Sequence, residues 1–360
     1  MWPSTRLCDL LGIEHPIIAA PMAGVSTPAM AAAVSNAGGL GSLGTGMASP
    51  EALAKILAEM AGLTNRAVNF NFFVHEEPDL SGYDPAPMQA ALAPLYAEAG
   101  LGAPPAPKSP APAFGQEHLE ALLAHPPAIV SFHFGLPDVA TIDALKAEGV
   151  RLLATATSVA EALAIEAAGI DAVIAQGAEA GGHQGSFIDV DRAESTGLFA
   201  LLPQIVDAVS IPVIAAGGIA DGRGVAAAFM LGADGAQIGT AFVRAEESVA
   251  AQSHKDALAA APQGATRLTK LFSGRPARAI GNELTERLKA HEGAAAPFPA
   301  QRALIGPLAK AGLERGSIAF HNAWSGQAGP LAKAAPSATI FEVIKDEALT
   351  LLGRSGARGA

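Results

Sequence analysis

The amino-acid sequence predicts an α/β protein whose main part is a (β/α)8 TIM barrel, accompanied by a smaller, mainly helical cap region. Two observations support this fold class. Short apolar runs alternate with Ala-rich helical stretches, and eight such runs can be counted. Each run is continuously apolar, as expected for a parallel strand that is buried on both faces. A doubly wound sheet has the same alternation, but eight strands close a barrel, so we favour the barrel.

The predicted strands end in Gly, Pro or polar residues. In chain order they cover residues 16–21, 40–44, 67–73, 128–134, 151–156, 172–177, 212–217 and 235–242. Between them lie segments such as 27–39, 138–150 and 158–170, which have helix formers at i, i+3 and i+4 and a glycine near the C-terminal end. Ser158 and Glu161 have the spacing of a capping box at the start of one such helix.

Two regions interrupt the alternation and divide the chain. We expect residues 1–244 to form the barrel domain, with an insertion at 76–127 that is too long for one βα unit. Its Pro- and Ala-rich part, 102–115, is typical of an exposed loop. Residues 245–335 follow the eighth strand and should form a helical cap beside the barrel mouth, and residues 336–360 should form a C-terminal helix and tail.

Finer boundaries follow from composition within the last two regions. In the cap region we expect loops at 273–283 and 293–300, between helical stretches. Residues 336–353 read as one helix that returns to the barrel wall, and the sequence GRSGARGA after it predicts a free tail.

The composition excludes several classes of protein. Half of the residues are hydrophobic and only 16% are charged, so a generally disordered chain is excluded. The 23 basic and 34 acidic residues give a net charge of −11, and Lys and Arg do not cluster. Phosphate backbones would repel such a protein, so we expect no nucleic-acid partner.

The sequence also predicts the cellular compartment of the protein. Cys8 is the only cysteine, which excludes an internal disulfide and suits a reducing compartment. No run of 18 uninterrupted apolar residues is present, and the first 16 residues carry charges where a signal peptide needs its apolar part. We therefore expect a cytoplasmic protein with no membrane partner.

The best-defined candidate site is a phosphate-binding site at the seventh and eighth strands. Gly217 and Gly218 follow the seventh strand, and Gln237, Ile238, Gly239 and Thr240 end the eighth. Loops after these strands form the usual phosphate site of a TIM barrel, through backbone N–H groups. Taken singly, the glycines could simply make tight turns. No GxGxxG opens a helix after a first strand, so a Rossmann NAD site is not indicated.

Amide side chains at other strand ends are suited to a heteroaromatic ring. Asn71 and Gln176 can donate and accept hydrogen bonds at a ring edge. The alternative is that a buried amide is satisfied by its own backbone neighbours, and for Asn69 both interpretations stand equally. Met22 and Ala23 belong to a segment of little bulk, 21–24, which could lie along the ring.

Two histidines are candidates for catalysis. His183 lies in a glycine-rich segment after the sixth strand, for which we expect a flexible loop at the barrel mouth. An imidazole in such a setting can act as a base near neutral pH. His133 ends the fourth strand and could face the same cavity. A metal site would need a third ligand, and the sequence offers none in a suitable place, so we expect no metal.

At these residues the chain resembles the nitronate monooxygenase family, formerly called 2-nitropropane dioxygenases. The matching stretches are PIIAAPMAGVSTPAMAAAVSNAGGLGSLG (17–44 with its preceding Pro), VNFNFF (68–73), SFHFG (131–135), AQGAEAGGHQG (175–185), PVIAAGGIADGRG (212–224), GADGAQIGTAF (232–242), SGRPAR (273–278) and WSGQ (324–327). VNFNFF and SFHFG are more similar to the bacterial, class I-like members. The family's cap often carries a tyrosine where this chain has APFPAQ, which leaves the cap's substrate contacts open.

The resemblance implies a fold, a cofactor and a site. Family members are FMN-dependent TIM-barrel enzymes. Residues that match their FMN contacts are Asn71, Gln176, Gly181, Gly218 and 237–240, while Met22 and Ala23 match the ring-packing segment. His183 matches the catalytic histidine.

The implied reaction is oxidation of an alkyl nitronate, for example propionate 3-nitronate, by dioxygen to a carbonyl compound and nitrite. His183 would remove a proton from a neutral nitroalkane, or pair as a cation with a nitronate already formed; the sequence leaves both roles open. The AGGH segment is shared with flavin NAD(P)H reductases for quinones or enoyl-acyl carrier protein, which are the main alternative. A non-catalytic flavin-binding protein is a further alternative, and a homodimer is possible.

Overall fold

The computed structural model of the protein describes residues 1–109, 113–190 and 195–356. The strands are β1 (Ile17–Ala19), β2 (Gly41–Gly44), β3 (Val68–Phe73), β4 (Ile129–His133), β5 (Arg151–Ala156), β6 (Ala172–Gln176), β7 (Gly182–His183), β8 (Val213–Ala216), β9 (Gly235–Ile238), β10 (Thr266–Thr269) and β11 (Ala277–Ile280). The α-helices are α1 (Arg6–Leu11), α2 (Pro28–Asn36), α3 (Pro50–Leu63), α4 (Ala86–Glu98), α5 (Gln116–Ala124), α6 (Val139–Ala147), α7 (Val159–Ala167), α8 (Leu198–Ala208), α9 (Gly222–Met230), α10 (Gln252–Ala260), α11 (Glu283–Arg287), α12 (Gln301–Glu314) and α13 (Ser337–Gly356).

Eight parallel strands form the predicted TIM barrel. Their order is β1-β9-β8-β6-β5-β4-β3-β2, and a parallel bridge between Ile18 and Leu40 joins the two ends of this sheet. All eight predicted strands are confirmed, with ends that differ by a few residues. The largest difference is in the eighth, which ends at Ile238 instead of residue 242 because Gly239 leaves the extended conformation and Thr240–Phe242 form a 3-10 turn.

The caps expected from the sequence begin and end the wall helices. The Ser158 side chain accepts a hydrogen bond from the Glu161 N–H at the start of α7. Gly149 and Gly169, with φ of 77° and 78°, follow α6 and α7 in the left-handed conformation that glycine adopts readily. The predicted capping box is only half formed, because the Glu161 carboxylate bonds to other donors, described below.

The barrel is filled by side chains and closed at its N-terminal end. Leu7 and Leu11 of α1 pack with Ile18 of β1 and Ile214 of β8 in one buried cluster. The outer faces of the strands pack against the wall helices in the main core. Since the interior is filled at this end, ligands can enter only at the opposite, C-terminal end of the strands.

The C-terminal helix returns to the barrel wall, as predicted. Phe341, Ile344 and Ala348 of α13 are buried in the main core, and a Cβ atom at Gly222 of α9 would lie 2.4 Å from the Ala348 nitrogen. The helix continues to Gly356, so the expectation of a free tail from residue 353 is wrong for 353–356. Residues 357–360 of that predicted tail lie outside the described residues.

The insertion at 76–127 packs against both the cap and the barrel. Its helix α4 packs with α12 in a second core formed largely by the cap, where the Tyr96 hydroxyl donates to the Leu304 carbonyl at 2.6 Å. Its helix α5 instead packs on the barrel, through Leu119 and Leu122. The described part of the predicted loop at 102–115 contains no helix or strand, and residues 110–112 lie outside it.

The cap contains a small sheet besides its helices. Strands β10, β11 and β7 pair antiparallel in that order, so β7 comes from the barrel and β11 from the cap. The predicted loop at 273–283 is therefore wrong over Ala277–Ile280, which are extended because they pair on both sides. No helix among the described residues is long and apolar enough to span a membrane.

Candidate active site

A cavity opens at the C-terminal ends of the barrel strands, under the cap. Its volume is about 310 Å³, at the lower end of the roughly 300–1,000 Å³ of most small-ligand pockets. Twelve of the predicted site residues line it: Met22, Ala23, Asn71, His133, Gln176, Gly181, His183, Gly217, Gly218, Gln237, Gly239 and Thr240. Ile238 is the exception, because its side chain is fully buried in the core on the outer face of the barrel. The cavity thus falls within the size range of small-ligand pockets.

One part of this cavity offers hydrogen-bond donors from Gly217, Gly218 and Thr240. Gly217 and Gly218 have φ of 107° and 70°, which only glycine adopts readily. Their N–H groups donate no backbone hydrogen bond within the described chain. The Thr240 hydroxyl accepts from the Gly326 N–H at 2.9 Å, so its own proton is available to a ligand. These donors suit a phosphate group.

Close packing of the cap explains why residue 181 is a glycine. A Cβ atom at this position would lie 2.4 Å from the Gly326 nitrogen. The cap segment 325–326 therefore lies directly on the segment that precedes β7. A side chain at Gly181 would push the cap away from the barrel.

The amide side chains have different roles. Asn71 donates to the Ser131 carbonyl and hydroxyl, and Gln176 donates to the His183 carbonyl at 3.1 Å and accepts from the Gly185 N–H at 2.8 Å. Gln176 is therefore satisfied by backbone neighbours, as in the alternative weighed above. By contrast, Gln237 lines the cavity with a buried Oε1 atom that has no partner among the described residues. Such an atom calls for a donor from a bound molecule.

Gly182 and His183 form the two-residue strand β7, so the expected flexible loop is wrong at these two residues. Gly182 and His183 pair with Arg278 and Ala277 of β11, and the Gln184 N–H donates to the Pro276 carbonyl at 2.9 Å. The glycines instead allow close packing, since a Cβ atom at Gly185 would lie 2.7 Å from His133. Pairing with the cap holds the imidazole at a defined place in the cavity.

The His183 ring is held by one hydrogen bond and several aromatic neighbours. Its Nε2 atom lies 2.8 Å from the Ser273 hydroxyl. The rings of Phe134, Phe298 and Trp324 have centroids 5.4, 5.4 and 5.1 Å from its own. Phe134 has a φ of 74°, unusual for a bulky residue and typical of a functional site.

Electrostatics keep both histidines neutral. Burial lowers the pKa of His183 well below its usual value, with further lowering from Arg302, His133 and Arg275. Burial and then Arg275 lower the pKa of His133 to about 4. His133 contacts the Thr155 hydroxyl through Nδ1 and the His183 carbonyl through Nε2, at 3.1 and 3.3 Å. It therefore orients His183 through the backbone.

Sequence reasoning missed the residues that the cap contributes. Four such residues lie in or beside the cavity: Ser273, Arg302, Asn322 and Trp324. Ser273 is 90 residues from His183 in the sequence, and the other three are further away. The stretches SGRPAR and WSGQ were a signal for this region, because they matched the family, but no pattern in them indicated a partner for His183. Among the described residues, no group of three or more His, Cys, Asp or Glu could hold a metal ion.

The barrel, the glycine donors and a cavity whose described lining holds a neutral histidine and no carboxylate define the class: an oxidoreductase of the flavin-dependent TIM-barrel kind. The family model for nitronate monooxygenase matches residues 4–347. The chain belongs to the nitronate monooxygenase family.

Similar proteins agree in sequence and in structure. A probable nitronate monooxygenase of Staphylococcus aureus (strain Newman) is 41% identical over 345 residues, which cover 96% of this chain and 97% of the relative. The structure of a nitroalkane oxidase from Streptomyces ansochromogenes has a TM-score of 0.87 at 39% identity, covering 96% and 98% of the two chains. FabK from Thermotoga maritima has a TM-score of 0.77 at 30% identity, covering 99% and 100%.

Proposed function

We propose that this enzyme is an FMN-dependent nitronate monooxygenase that oxidises alkyl nitronates, such as propionate 3-nitronate, with dioxygen to a carbonyl compound and nitrite. The observation that carries the proposal is the setting of His183. Its imidazole is neutral, faces the cavity and is enclosed by aromatic rings. A neutral imidazole is suited to removing the α-proton of a nitroalkane.

The residues present fit an FMN molecule. Gly217, Gly218 and Thr240 would hold its single phosphate, and Gln237 has an unpaired Oε1 that would accept from a ring N–H. Met22 lies at the cavity wall, where its side chain would pack along the ring. When bound, FMN supplies the electron acceptor for nitronate oxidation and the site of reoxidation by dioxygen.

The hydrogen bonds around His183 favour one nitrogen as the base. The Ser273 hydroxyl is placed to donate to the Arg275 carbonyl at 3.3 Å, and a hydroxyl has only one proton. Its oxygen then accepts from His183 Nε2–H at 2.8 Å. This leaves the lone pair on Nδ1 available, and Nδ1 is the proton acceptor in our proposal.

A flavin reductase is the second candidate, since FabK shares the fold and 30% of aligned residues. The two functions differ in the molecule that reduces the flavin. We expect ethylnitronate to reduce the bound flavin rapidly in anaerobic stopped-flow experiments, and NADH to do so slowly. Rapid reduction by NADH with no reaction of ethylnitronate would establish the reductase and contradict our proposal. A protein that binds flavin but reacts with neither would be non-catalytic.

Replacement of His183 by Asn tests the assigned base. An amide cannot accept the proton, so turnover of neutral nitroethane should fall by about 10²–10⁴-fold, the usual contribution of a general base. Preformed ethylnitronate needs no proton removal, and its oxidation should fall much less. The ratio of the two losses, measured as nitrite release on flavin-replete protein, is the informative quantity.

His321→Asn is a matched control. This histidine lies in the cap, where its ring centroid is 6.0 Å from that of His254, and it is not one of the residues that contact His183. It should leave both rates within about twofold. Equal losses on both substrates in His183→Asn would make His183 a positioning group and overturn the role of base.

A further inference from the structure

The cavity carries one positive charge and no negative charge among the described residues that line it. Arg302 is the charged side chain in this lining, and no Asp or Glu belongs to it. The remaining lining groups are apolar, amide, hydroxyl or backbone groups, together with His133 and His183. An anion that entered this cavity would meet no repelling carboxylate.

Arg302 has no partner within the described chain. It is the second residue of α12, and its backbone N–H donates to the Pro299 carbonyl at 3.1 Å. Its guanidinium group makes no hydrogen bond or ion pair with a described residue, although burial alone already lowers the pKa of this arginine. A desolvated cation without a partner is costly, and five N–H donors are left for a ligand.

The other arginines of the site are occupied. Arg275 donates to the Ser186 carbonyl and lies with its guanidinium carbon 4.3 Å from the centre of the Phe134 ring. Arg278 donates to the Ala178 carbonyl at 2.9 Å and the Thr266 hydroxyl at 3.3 Å. These two are held by other chain segments, and Arg302 differs from both because it lines the cavity and its guanidinium has no partner among the described residues.

We propose that Arg302 is the specificity-determining residue that pairs with a planar oxyanion of the substrate, either the nitronate group itself or a carboxylate on the same molecule. A guanidinium group forms two parallel hydrogen bonds to such an anion. His183 then stays neutral while Arg302 supplies the positive charge, so proton transfer and charge pairing belong to different residues. The identity of the substrate rests on the proposed function, but the existence of the anion site does not.

Binding of inorganic nitrate, a planar anion of the same charge, tests the site directly. The flavin-loaded protein is titrated with nitrate by calorimetry, for the wild type, Arg302→Gln, Arg302→Lys and Lys310→Gln. Lys310 is an exposed residue of the same helix, and its replacement removes the same net charge. Loss of a charge-assisted hydrogen bond typically weakens binding about 10- to 100-fold.

We therefore expect a nitrate Kd about 10- to 100-fold higher in Arg302→Gln, a smaller rise in Arg302→Lys and no change in Lys310→Gln. An unchanged Kd in Arg302→Gln would overturn the proposal. Loss of the flavin from Arg302→Gln, with the Lys310→Gln protein still loaded, would also overturn it, because Arg302 would then hold the cofactor.

Steady-state kinetics identify which oxyanion is paired. If Arg302 pairs with the nitronate group, kcat/KM in Arg302→Gln should fall for both ethylnitronate and propionate 3-nitronate. If it pairs with a carboxylate, only the value for propionate 3-nitronate should fall; a fall for neither would contradict both forms. Should the wild type oxidise no nitronate, the proposed function fails, while the nitrate titration still decides on Arg302.

Discussion

At the scale of single residues, the site divides its tasks among neighbours. Ser273 fixes the His183 ring through Nε2, and His133 donates to the His183 carbonyl. Arg302 and Arg275 bring positive charge near the imidazole and lower its pKa beyond the effect of burial. The result is a histidine that is held in orientation and stays unprotonated at neutral pH.

The lowered pKa of His183 predicts the pH dependence of nitroethane oxidation. The base works only when unprotonated, so activity is complete above its pKa and is lost as the pH falls through it. Since the pKa lies well below 6.5, we expect kcat/KM to be constant around neutral pH and to fall only at more acid pH. Arg302→Gln removes a positive neighbour, so the acid limb should move to higher pH.

Measurement of kcat/KM for nitroethane from pH 5 to 8 checks both points, with Lys310→Gln as the control of equal charge. An acid limb at or above pH 6.5 in the wild type would contradict the assigned environment. A limb that stays in place in Arg302→Gln would show that this guanidinium does not act on His183.

At the scale of elements, a buried carboxylate holds the segment that follows β7. Glu161 is fully buried at the start of α7 and accepts from the Thr157 N–H and hydroxyl, at 2.7 and 2.8 Å. The same carboxylate accepts from the N–H groups of Phe187 and Ile188, at 2.8 and 3.2 Å. It joins the turn after β5 to the chain beyond His183, which explains why it does not complete the capping box.

Removal of this carboxylate should destabilise the protein. In Glu161→Ala, buried N–H groups lose their acceptor, and each unsatisfied group typically costs about 1–3 kcal/mol. We expect the free energy of unfolding to fall by on the order of 3 kcal/mol, measured by urea denaturation. Glu148→Ala, at the exposed end of α6, is the control and should change it by less than about 0.5 kcal/mol. Similar stability of the two variants would contradict the anchoring role.

At the scale of the whole molecule, barrel and cap form the cavity together. The barrel contributes the glycine donors and His183, and the cap contributes Ser273, Arg302 and Trp324. A second core of the cap includes α4 from the insertion, so the cap is tied to the barrel at more than one point of the chain. A homodimer and a cytoplasmic location stay predictions from the sequence.

The whole-molecule arrangement predicts that the purified protein contains FMN and not FAD, because the cavity offers one phosphate cradle. Chromatography of the flavin released by acid identifies it. In Gly218→Val a branched side chain would enter the cradle. Its Cβ atom alone would lie 3.3 Å from the Glu179 side chain, so flavin content should fall severalfold.

Gly149→Val is the matched control for backbone strain. Gly149 has a φ of 77°, close to the 70° of Gly218, but a Cβ atom there meets nothing within 4 Å and the residue lies outside the cavity. It should keep its flavin. Recovery of FAD from the wild type, or full flavin content in Gly218→Val, would move the phosphate site elsewhere.

The sequence by itself determined the barrel and the floor of its cavity. A strand buried on both faces is largely apolar, so each of the eight strands is visible in local composition. The fold then places every strand end at the same mouth, which is why Gly217, Gly218, Gln237 and Thr240 could be assigned to one site. Ile238 was assigned with them, but side chains alternate along a strand and its own points to the outer core.

Only the tertiary structure decided what surrounds His183. Its pairing with β11, its bond to Ser273 and the charge of Arg302 all come from the cap, across 90 or more residues of chain. Such contacts depend on how distant segments pack, and the spacing of residues in the sequence does not predict them. The pKa of His183 follows from the same packing, because burial and nearby charge are properties of its neighbours in space. For this reason Gly182 and His183 form a short strand where the sequence predicts a flexible loop.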